Sequence, residues 1–231
     1  MANNYDPIAA YYDLLHRLVY GRTEINAQVG LLSFIKPGDR LLIVGGGTGW
    51  ILEKIRDLYR SGLVITYVES SRAMMTLSRK RDCGQNQVEF VEGSVEQFVT
   101  TVRYDGVVRY DAVLRYDCIL TGFFFDNFAS DQAARIVGEL APRLGEGGFW
   151  LFADFHYQKG KGKWWQAILL KLMYASARLI VKVEGEELTD MAPIFEGAGF
   201  EEVYAAFYYG RFIKAIAYRM REGRRGEGKG G

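Results

Sequence analysis

The spacing of apolar residues along the chain alternates between the period of a helix and the unbroken run of a buried strand. Apolar side chains recur at helical spacing over residues 8–34, and Lys-Pro-Gly-Asp at 36–39 ends that helix. The fully apolar run at 41–44 predicts a parallel strand that is covered on both faces. A glycine-rich segment at 45–49 then leads into a helix that ends near Tyr59. The first quarter of the chain is therefore predicted to be a helix, a strand, a loop and a second helix.

The same alternation continues to the end of the chain. Further strands are predicted at 63–68, near 88–91, in a segment ending near 120 and at 149–152, and further helices from about 71 and at 131–144, 163–180 and 188–198. Residues 202–208 and 212–219 are predicted to be two strands joined around Gly210. This order predicts an α/β fold: a doubly wound, Rossmann-like sheet of seven strands, mostly parallel, with a C-terminal antiparallel hairpin and helices on both faces.

We predict one domain over residues 1–221, in which residues 1–37 form an N-terminal helical lid. The last ten residues, 222–231, contain glycine and charge without apolar side chains, so we expect this tail to be disordered. The predicted helix at 163–180 is apolar on more than one side but carries Lys171 and Arg178, which argue against a membrane span. Packing, dimerisation and contact with an interface remain open for this helix.

The tripeptide Arg-Tyr-Asp occurs three times, at 103–105, 109–111 and 115–117. Because the period of six residues is even, a strand shifted by one repeat keeps every side chain on the same face of the sheet. Three registers of the fourth strand are therefore compatible with the hydrophobic pattern. We favour the last copy, because it leads directly into Thr121 and Gly122, where a strand must end beside a ligand.

Charge and cysteine content limit the classes of function. The 29 basic and 28 acidic side chains nearly cancel, so no overall field favours nucleic acid or an acidic membrane surface. Cys83 and Cys118 are far apart and lack the spacing of a zinc site, so we expect no metal centre and no disulfide framework. The N-terminus lacks a signal-peptide pattern. We therefore expect a cytoplasmic protein, a monomer or a homodimer, with a small-molecule partner.

The glycine-rich segment is the strongest candidate for a binding site. Gly45, Gly46, Gly47 and Gly49 follow a buried strand and open a helix, so the backbone can approach a ligand closely. Glu69 lies at the end of the second strand, about 20 residues beyond the loop, where a carboxylate can accept both ribose hydroxyls of a nucleotide. A dinucleotide fingerprint requires a third glycine at position 50, which is Trp50 here. This mismatch disfavours a nicotinamide-dependent oxidoreductase.

With glycines at 45, 47 and 49 and an acid-turn-helix at 69–74, the chain resembles the class I (Rossmann-like, seven-stranded) S-adenosylmethionine-dependent methyltransferases of the small-molecule type. The segment 5–13 is similar to the lid helix of such enzymes, and the hairpin matches their C-terminal strands. The resemblance implies S-adenosylmethionine as cofactor and S-adenosylhomocysteine as product. It assigns cofactor binding to Gly45, Gly46, Gly47, Gly49, Glu69, Ser70, Met74, Ser94, Val95, Thr121, Gly122 and Tyr12.

Two positions depart from the pattern of this family. Where the family usually has an acid in the first strand, this chain has Ile43, so a contact to the methionine amino group must come from elsewhere. The acid that usually accepts from the adenine amine aligns with Ser94. A hydroxyl is a weaker acceptor than a carboxylate, although the backbone of Val95 can also serve the adenine ring.

The acceptor side of the site is less clearly marked. His156 follows the fifth strand at its ligand end and is a candidate base, with a packed or loop histidine as the alternative. Asp126, the other catalytic candidate, follows three consecutive phenylalanines at 123–125. These are either an aromatic wall for the acceptor, with Asp126 and Asn127 at its polar end, or part of the core. In the second case Asp126 would cap the helix that follows. We expect direct methyl transfer to a small organic acceptor that is hydrophobic or aromatic; the alternative is a catalytically silent methyltransferase-like binding or scaffold protein.

Overall fold

The computed structural model describes residues 21–101, 114–156 and 188–221. Within these ranges the helices are α1 (Thr23–Leu31), α2 (Trp50–Leu58), α3 (Arg72–Ser78), α4 (Val95–Thr101), α5 (Ser130–Leu140) and α6 (Met191–Gly197). The strands are β1 (Arg40–Val44), β2 (Ser61–Glu69), β3 (Gln85–Glu92), β4 (Tyr116–Gly122), β5 (Leu144–Phe155), β6 (Phe200–Tyr208) and β7 (Ile213–Met220). The predicted alternation of strands and helices is thereby confirmed.

The strands form one sheet in the order β3-β2-β1-β4-β5-β7-β6. Strands β1 to β5 are parallel to one another, and β7 pairs antiparallel with both β5 and β6. The predicted fold class, a doubly wound sheet of seven strands with a C-terminal hairpin, is confirmed. The chain order reverses between β1 and β4, and a reversal of this kind opens a crevice at the carboxyl ends of the strands.

The two faces of the sheet are buried against different helices. Alternation along β1 sends Leu41 and Ile43 to one face, where they pack with Leu31 of α1 and residues of α2. Leu42 and Val44 face the opposite side, in a cluster that includes residues of α5 and α6. All four side chains of this run are almost completely buried. The apolar run at 41–44 thus belongs to a strand that is covered on both faces, as predicted.

Strand β4 uses the third copy of the Arg-Tyr-Asp repeat, which confirms the favoured register. Tyr116 is buried, and its hydroxyl donates to Thr66 Oγ1 of β2 at 3.2 Å. The carboxylate of Asp117 accepts the Arg40 amide hydrogen bond at 2.7 Å. Arg40 lies on the adjacent strand β1 and Thr66 on β2, one strand further away, so the tyrosine and the aspartate of this copy fix the start of the strand. The first two copies lie outside the described residues.

Several element boundaries differ from the predicted ones. Strand β5 includes the predicted turn at 145–148 and extends to Phe155, three residues beyond the predicted end at Phe152. The helix predicted over 188–198 begins only at Met191, because Asp190 caps it by accepting the Ala192 amide hydrogen bond at 3.2 Å. The helix predicted to reach residue 144 ends at Leu140, before a 3₁₀ turn that contains Pro142. The predicted helix at 163–180, the tail and residues 1–20 of the predicted lid lie outside the described residues.

Candidate functional site

A pocket of about 260 Å³ opens at the carboxyl ends of β1 and β4. Its walls come from the segment 43–48, from one face of α1 and from the end of β4, and Trp50, Ile51 and Arg81 complete the described lining. The α1 residues in the wall are Glu24, Ile25 and Gln28, and Gly21 precedes the helix. The pocket lies at the reversal of strand order, where open α/β sheets bind their ligands.

The glycines of the loop satisfy different steric requirements. A Cβ atom on Gly46 would collide with the ring of Tyr67, and one on Gly49 would lie 2.7 Å from Ser78 Cβ. A Cβ on Gly45 would collide with the ring of Phe124. At Gly47 the nearest described atom would be Met74 Sδ at 3.8 Å, an ordinary contact, although φ is +64°. Of these four predicted cofactor residues, Gly45, Gly46 and Gly47 line the pocket.

Glu69 holds the glycine loop against β2. Its carboxylate accepts hydrogen bonds from the Gly47 amide at 2.9 Å and from the Ser71 amide at 2.7 Å, and the Tyr67 hydroxyl donates to the Gly47 carbonyl at 2.9 Å. Burial raises the pKa of Glu69, while the hydrogen bonds from Ser71 and Gly47 act in the opposite direction. The acid therefore joins the end of β2 to the loop 22 residues earlier in the chain. A contact between Glu69 and ribose stays a prediction.

The remaining predicted cofactor residues have different surroundings. Ser70 is exposed beside Glu69, and Met74 is buried below the loop. Thr121 is completely buried and its hydroxyl accepts the Trp150 Nε1 hydrogen bond at 2.9 Å, so its side chain serves the core. Gly122 lines the pocket. Tyr12 lies outside the described residues.

Ser94 begins α4 in a capping box. Its hydroxyl accepts the Gln97 amide hydrogen bond at 3.3 Å, and its own amide donates to Gln97 Oε1 at 2.8 Å. Ser94 is half-buried and follows the end of β3, as the sequence predicts, while the next residue, Val95, is buried in the core. The side chain at the predicted adenine position therefore already has a structural partner.

The three phenylalanines at 123–125 do not share one role. Phe123 lines the pocket with a left-handed backbone, φ 52°, and its ring packs against Phe155 at a centroid distance of 5.0 Å. Phe124 covers Gly45, and Phe125 is buried in the core. Core packing thus holds for Phe125, while a role of Phe123 as an aromatic wall for the acceptor stays a prediction.

Asp126 lies beside a second acid, Asp154, that sequence reasoning missed. Asp154 is buried near the end of β5 and accepts hydrogen bonds from the Phe125 amide at 3.0 Å and the Phe155 amide at 2.8 Å. Burial raises the pKa of Asp154 to about 7, although these bonds and Lys214 oppose the shift. Burial also raises the pKa of Asp126 well above its usual value, and the nearby charges of Asp154 and Glu24 add to the effect.

The alternative role of Asp126 as a helix cap is wrong. Helix α5 has Ala129 at its N-cap, and no side chain caps its first turn. The Asp126 carboxylate instead accepts the Asn127 Nδ2 hydrogen bond at 2.8 Å within a 3₁₀ turn over Phe125–Asn127. The turn holds this acid beyond the end of β4, next to β5.

His156 lies towards the C-terminal hairpin. Its amide donates to the Phe212 carbonyl at 2.7 Å, and its ring centroid is 5.7 Å from that of Phe207 on β6. Burial lowers the pKa of the imidazole, and the charge of Lys214 lowers it further. The described pocket lining does not include His156. Asp126 is absent from this lining as well, and Asp126 is the carboxyl whose pKa the nearby charge of Asp154 raises.

The sequence did not predict four buried polar residues near the site: Glu24, Gln28, Asp154 and Lys214. Glu24 and Gln28 are one helical turn apart on α1, a spacing that occurs on any helix. Asp154 lies two residues beyond the predicted end of its strand. Only the packing of α1 and the full length of β5 distinguish these residues from solvated ones.

Residues 21–101, 114–156 and 188–221 contain neither a candidate membrane span nor a candidate metal site. No helix in these ranges is long and apolar enough to cross a bilayer. The same ranges hold no cluster of three histidine, cysteine or acidic side chains that could bind a metal ion.

Comparison with known proteins rests on structure. Neither a protein-family model nor a curated protein sequence matches the chain. The mitomycin 7-O-methyltransferase is similar over 94% of this chain and 59% of its own, with a TM-score of 0.63 and 16% identity. This chain thus spans about three fifths of the length of that enzyme.

Two other solved structures are matched over more of their length. The 1,6-didemethyltoxoflavin-N1-methyltransferase of Burkholderia thailandensis, solved with its substrate and S-adenosylhomocysteine, is similar over 94% of this chain and 86% of its own, with a TM-score of 0.62 and 16% identity. A chain from a complex with a Haloferax volcanii methyltransferase activator is covered to 98%, with a TM-score of 0.64 and 14% identity. These likenesses establish the Rossmann-like methyltransferase fold.

Proposed function

We propose that this protein is an S-adenosylmethionine-dependent methyltransferase that acts on a small organic acceptor, hydrophobic or aromatic in character. The observation that carries the proposal is the glycine loop at 45–49, held by Glu69 beside a pocket at the carboxyl ends of β1 and β4. The methyltransferase fold and the small-molecule substrates named for two of its structural neighbours support it. The nearly balanced charge of the chain argues against nucleic acid as acceptor. We further propose a cytoplasmic monomer or homodimer.

The residues at the pocket fit a bound nucleoside with an amino acid attached. Gly47 leaves space where a side chain would stand, so the loop backbone can approach the ligand closely. The adenosine half of the cofactor would be held by residues that follow the ends of β2 and β3, namely Ser70, Met74, Ser94 and Val95. Gly122, together with the backbone of Thr121, would border the reacting end.

When bound, S-adenosylmethionine supplies a methyl group on a positively charged sulfur, which an acceptor displaces directly. The protein then has mainly to orient the two reactants, and orientation alone accounts for a large part of such rate enhancements. Phe123, which lines the pocket, offers an apolar face for an aromatic acceptor. The ring of Phe155 supports it from behind.

An acceptor hydroxyl must lose its proton during the transfer. We assign this proton to the acid pair Asp126 and Asp154, because burial raises the pKa of both carboxyl groups and a carboxylate with a raised pKa accepts a proton more readily. Asp126 would receive the proton, while Asp154, fixed by the Phe125 and Phe155 amides, would hold its partner in place. His156 remains the second candidate base, reached from the end of β5.

Calorimetric titration with S-adenosylhomocysteine tests the proposal. We expect wild-type protein to bind it, and Glu69→Ala to weaken binding by about 1–3 kcal/mol through the lost charge-assisted hydrogen bonds. Glu92→Ala is the matched control, because Glu92 is the exposed acid that pairs with Glu69 in the neighbouring strand. Absence of binding to wild-type protein would refute the proposal.

A catalytically silent binding or scaffold protein is the second candidate. Two observations favour it. Ile43 stands where an acid would contact the methionine amino group, and the Ser94 hydroxyl, expected to accept from adenine, is engaged in a capping box. Both weaken the expected contacts to the cofactor. Methyl transfer from S-adenosylmethionine to a panel of phenols and hydroxylated quinones separates the two candidates. Binding of S-adenosylhomocysteine without any transfer across the panel would support the silent protein.

A further inference from the structure

A buried lysine lies beside the acid pair at the ligand end of the sheet. Lys214 is 5% exposed and Asp154 is 3% exposed, and the two residues are directly opposite each other in the antiparallel pairing of β5 with β7. Directly opposite residues project from the same face of a sheet, with their Cβ atoms about 4.5–5.5 Å apart. Because β7 begins beside the carboxyl end of β5, Lys214 lies at the edge where Asp126 follows β4.

The contacts of Lys214 hold its ammonium group inside the protein. Its Nζ atom lies 5.5 Å from the ring centroid of Phe152, which is two residues before Asp154 on the same face of β5. Nζ is also 3.9 Å from Asp190 Oδ1, but the Asp190 side chain is 71% exposed, so water screens this ion pair. Lys214 and Asp154 are both buried, and their charges therefore act on each other with little screening.

The charges around the acid pair are mostly negative. The described groups that act on the pair, on Lys214 or on the nearby imidazole come from each surrounding element: Glu24 on α1, Asp190 before α6, Glu202 on β6, His156 at the end of β5 and Arg211 before β7. Burial and the charge of Lys214 lower the pKa of His156, so the imidazole adds little positive charge near neutral pH. Burial raises the pKa of Asp154, and the charge of Lys214 opposes this effect.

We propose that Lys214 is a positioning residue for the acid pair: its buried ammonium group keeps one negative charge on Asp126 and Asp154, so that the pair can accept the proton of an acceptor hydroxyl. The proposal rests on the proposed function, which assigns that proton to the pair. Without a facing cation, two carboxyl groups buried near each other both stay protonated near neutral pH, and neither can accept a further proton. Lys214 thus acts through the carboxyl groups and not on the reactants.

Carbon-13 NMR of protein labelled at the aspartate carboxyl carbons tests this proposal without cofactor or acceptor. The two signals are identified by their loss in Asp126→Asn and Asp154→Asn. In wild type we expect Asp154 to titrate at about pH 7. Lys214→Met keeps an unbranched side chain but removes the charge, so the ionisation of the pair should move upward by about one pH unit or more, a tenfold change in proton affinity. Lys214→Arg keeps the charge and should restore the wild-type titration.

Lys80→Met, which changes an exposed lysine just after α3, is the matched control and should titrate like wild type. Thermal unfolding shows whether each variant is folded, and Lys214→Gln replaces Lys214→Met if the methionine variant does not fold. A wild-type titration in the neutral variant would overturn the proposal, as would a Lys214→Arg protein shifted as far as Lys214→Met. Absence of S-adenosylhomocysteine binding would instead refute the proposed function and leave these titrations unchanged, so the two failures are distinct.

Discussion

The four glycines of the loop have different neighbours, so the reason why each position requires glycine differs. Gly46 is required by the ring of Tyr67 and Gly49 by Ser78, so these two preserve the packing of the loop on the protein itself. Gly47 has no such close neighbour among the described atoms, and a side chain there would meet Met74 only at an ordinary distance. Its open side faces the pocket, so its missing side chain is available to a ligand.

We therefore expect Gly47→Val to abolish binding of S-adenosylhomocysteine, because the new side chain would occupy the space of the ligand. The left-handed backbone of Gly47, φ +64°, also strains any other residue, by about 1–2 kcal/mol. Gly147→Val controls for this strain, because Gly147 has φ +70° and nothing within 4 Å. Both variants should lose similar stability in urea denaturation, and only Gly47→Val should lose binding in calorimetry. If Gly47→Val bound S-adenosylhomocysteine normally, the loop would not be part of the binding site.

The sequence was informative wherever a functional residue follows directly from a strand end. The glycine loop and Glu69 each come immediately after an apolar run, so their place at the sheet edge could be predicted from the chain alone. Glu24 could not be predicted in this way, because its burial depends on Gly122 and Gly30, which allow α1 to approach β4 and β6. Those contacts join residues about 90 to 180 positions apart, and no local pattern records them.

Helix α4 shows how a short element can constrain a site. Its capping box joins Ser94 to Gln97 at the end of β3, where the resemblance to methyltransferases predicts an acceptor for the adenine amine. One hydroxyl would then serve both the first turn of the helix and the ligand. An aspartate at this position can do both, because it is an equally good N-cap and a stronger acceptor.

Ser94→Ala should accordingly lower the free energy of unfolding by about 1 kcal/mol through loss of the cap, whereas Ser94→Asp should preserve it. Urea denaturation measures this difference. In calorimetry with S-adenosylhomocysteine we expect Ser94→Asp to bind more tightly than wild type and Ser94→Ala more weakly. If the two variants had equal affinity for the ligand, Ser94 would not contact adenine.

The length of strand β5 was the hardest to predict from the sequence. This matters for the site because the strand carries Asp154. The turn residues at 145–148 suggested a late start, yet these residues pair within the sheet. At the other end, Ala153, Asp154 and Phe155 pair antiparallel with β7. Asp154 in the sequence resembles a loop acid, and only its partners across the sheet show that it is buried.

The acids around the pocket also affect the stability of the molecule as a whole. The pKa of Asp154 is raised from 3.8 to about 7 by burial, so the folded protein binds this proton more tightly than the unfolded chain. Stability from such a group is fully present below the pKa of the unfolded chain and is lost as pH rises through the folded value. The fold should therefore lose stability between about pH 4 and pH 7 through this group.

Asp154→Asn should remove this part of the pH dependence. We expect the free energy of unfolding, measured in urea, to fall less steeply between pH 5 and pH 7 in the variant than in wild type. At low pH the variant should be the less stable protein, by about 1 kcal/mol, because an amide oxygen cannot serve the Phe125 and Phe155 amides equally well. Asp131→Asn, at the exposed start of α5, is the control and should reproduce the wild-type slope. Parallel profiles for wild type and Asp154→Asn would contradict the assignment.

Helix α1 contacts β5, β6 and β7 of the sheet, and it presents Glu24 and Gln28 to the glycine loop. The last two strands of the described chain therefore support the helix that lines the pocket. During synthesis, β1, the loop and β4 emerge well before β7, and α1 has no complete surface on which to lie until β7 pairs with β5. A growing chain should thus gain affinity for its ligand only after β7 has left the ribosome.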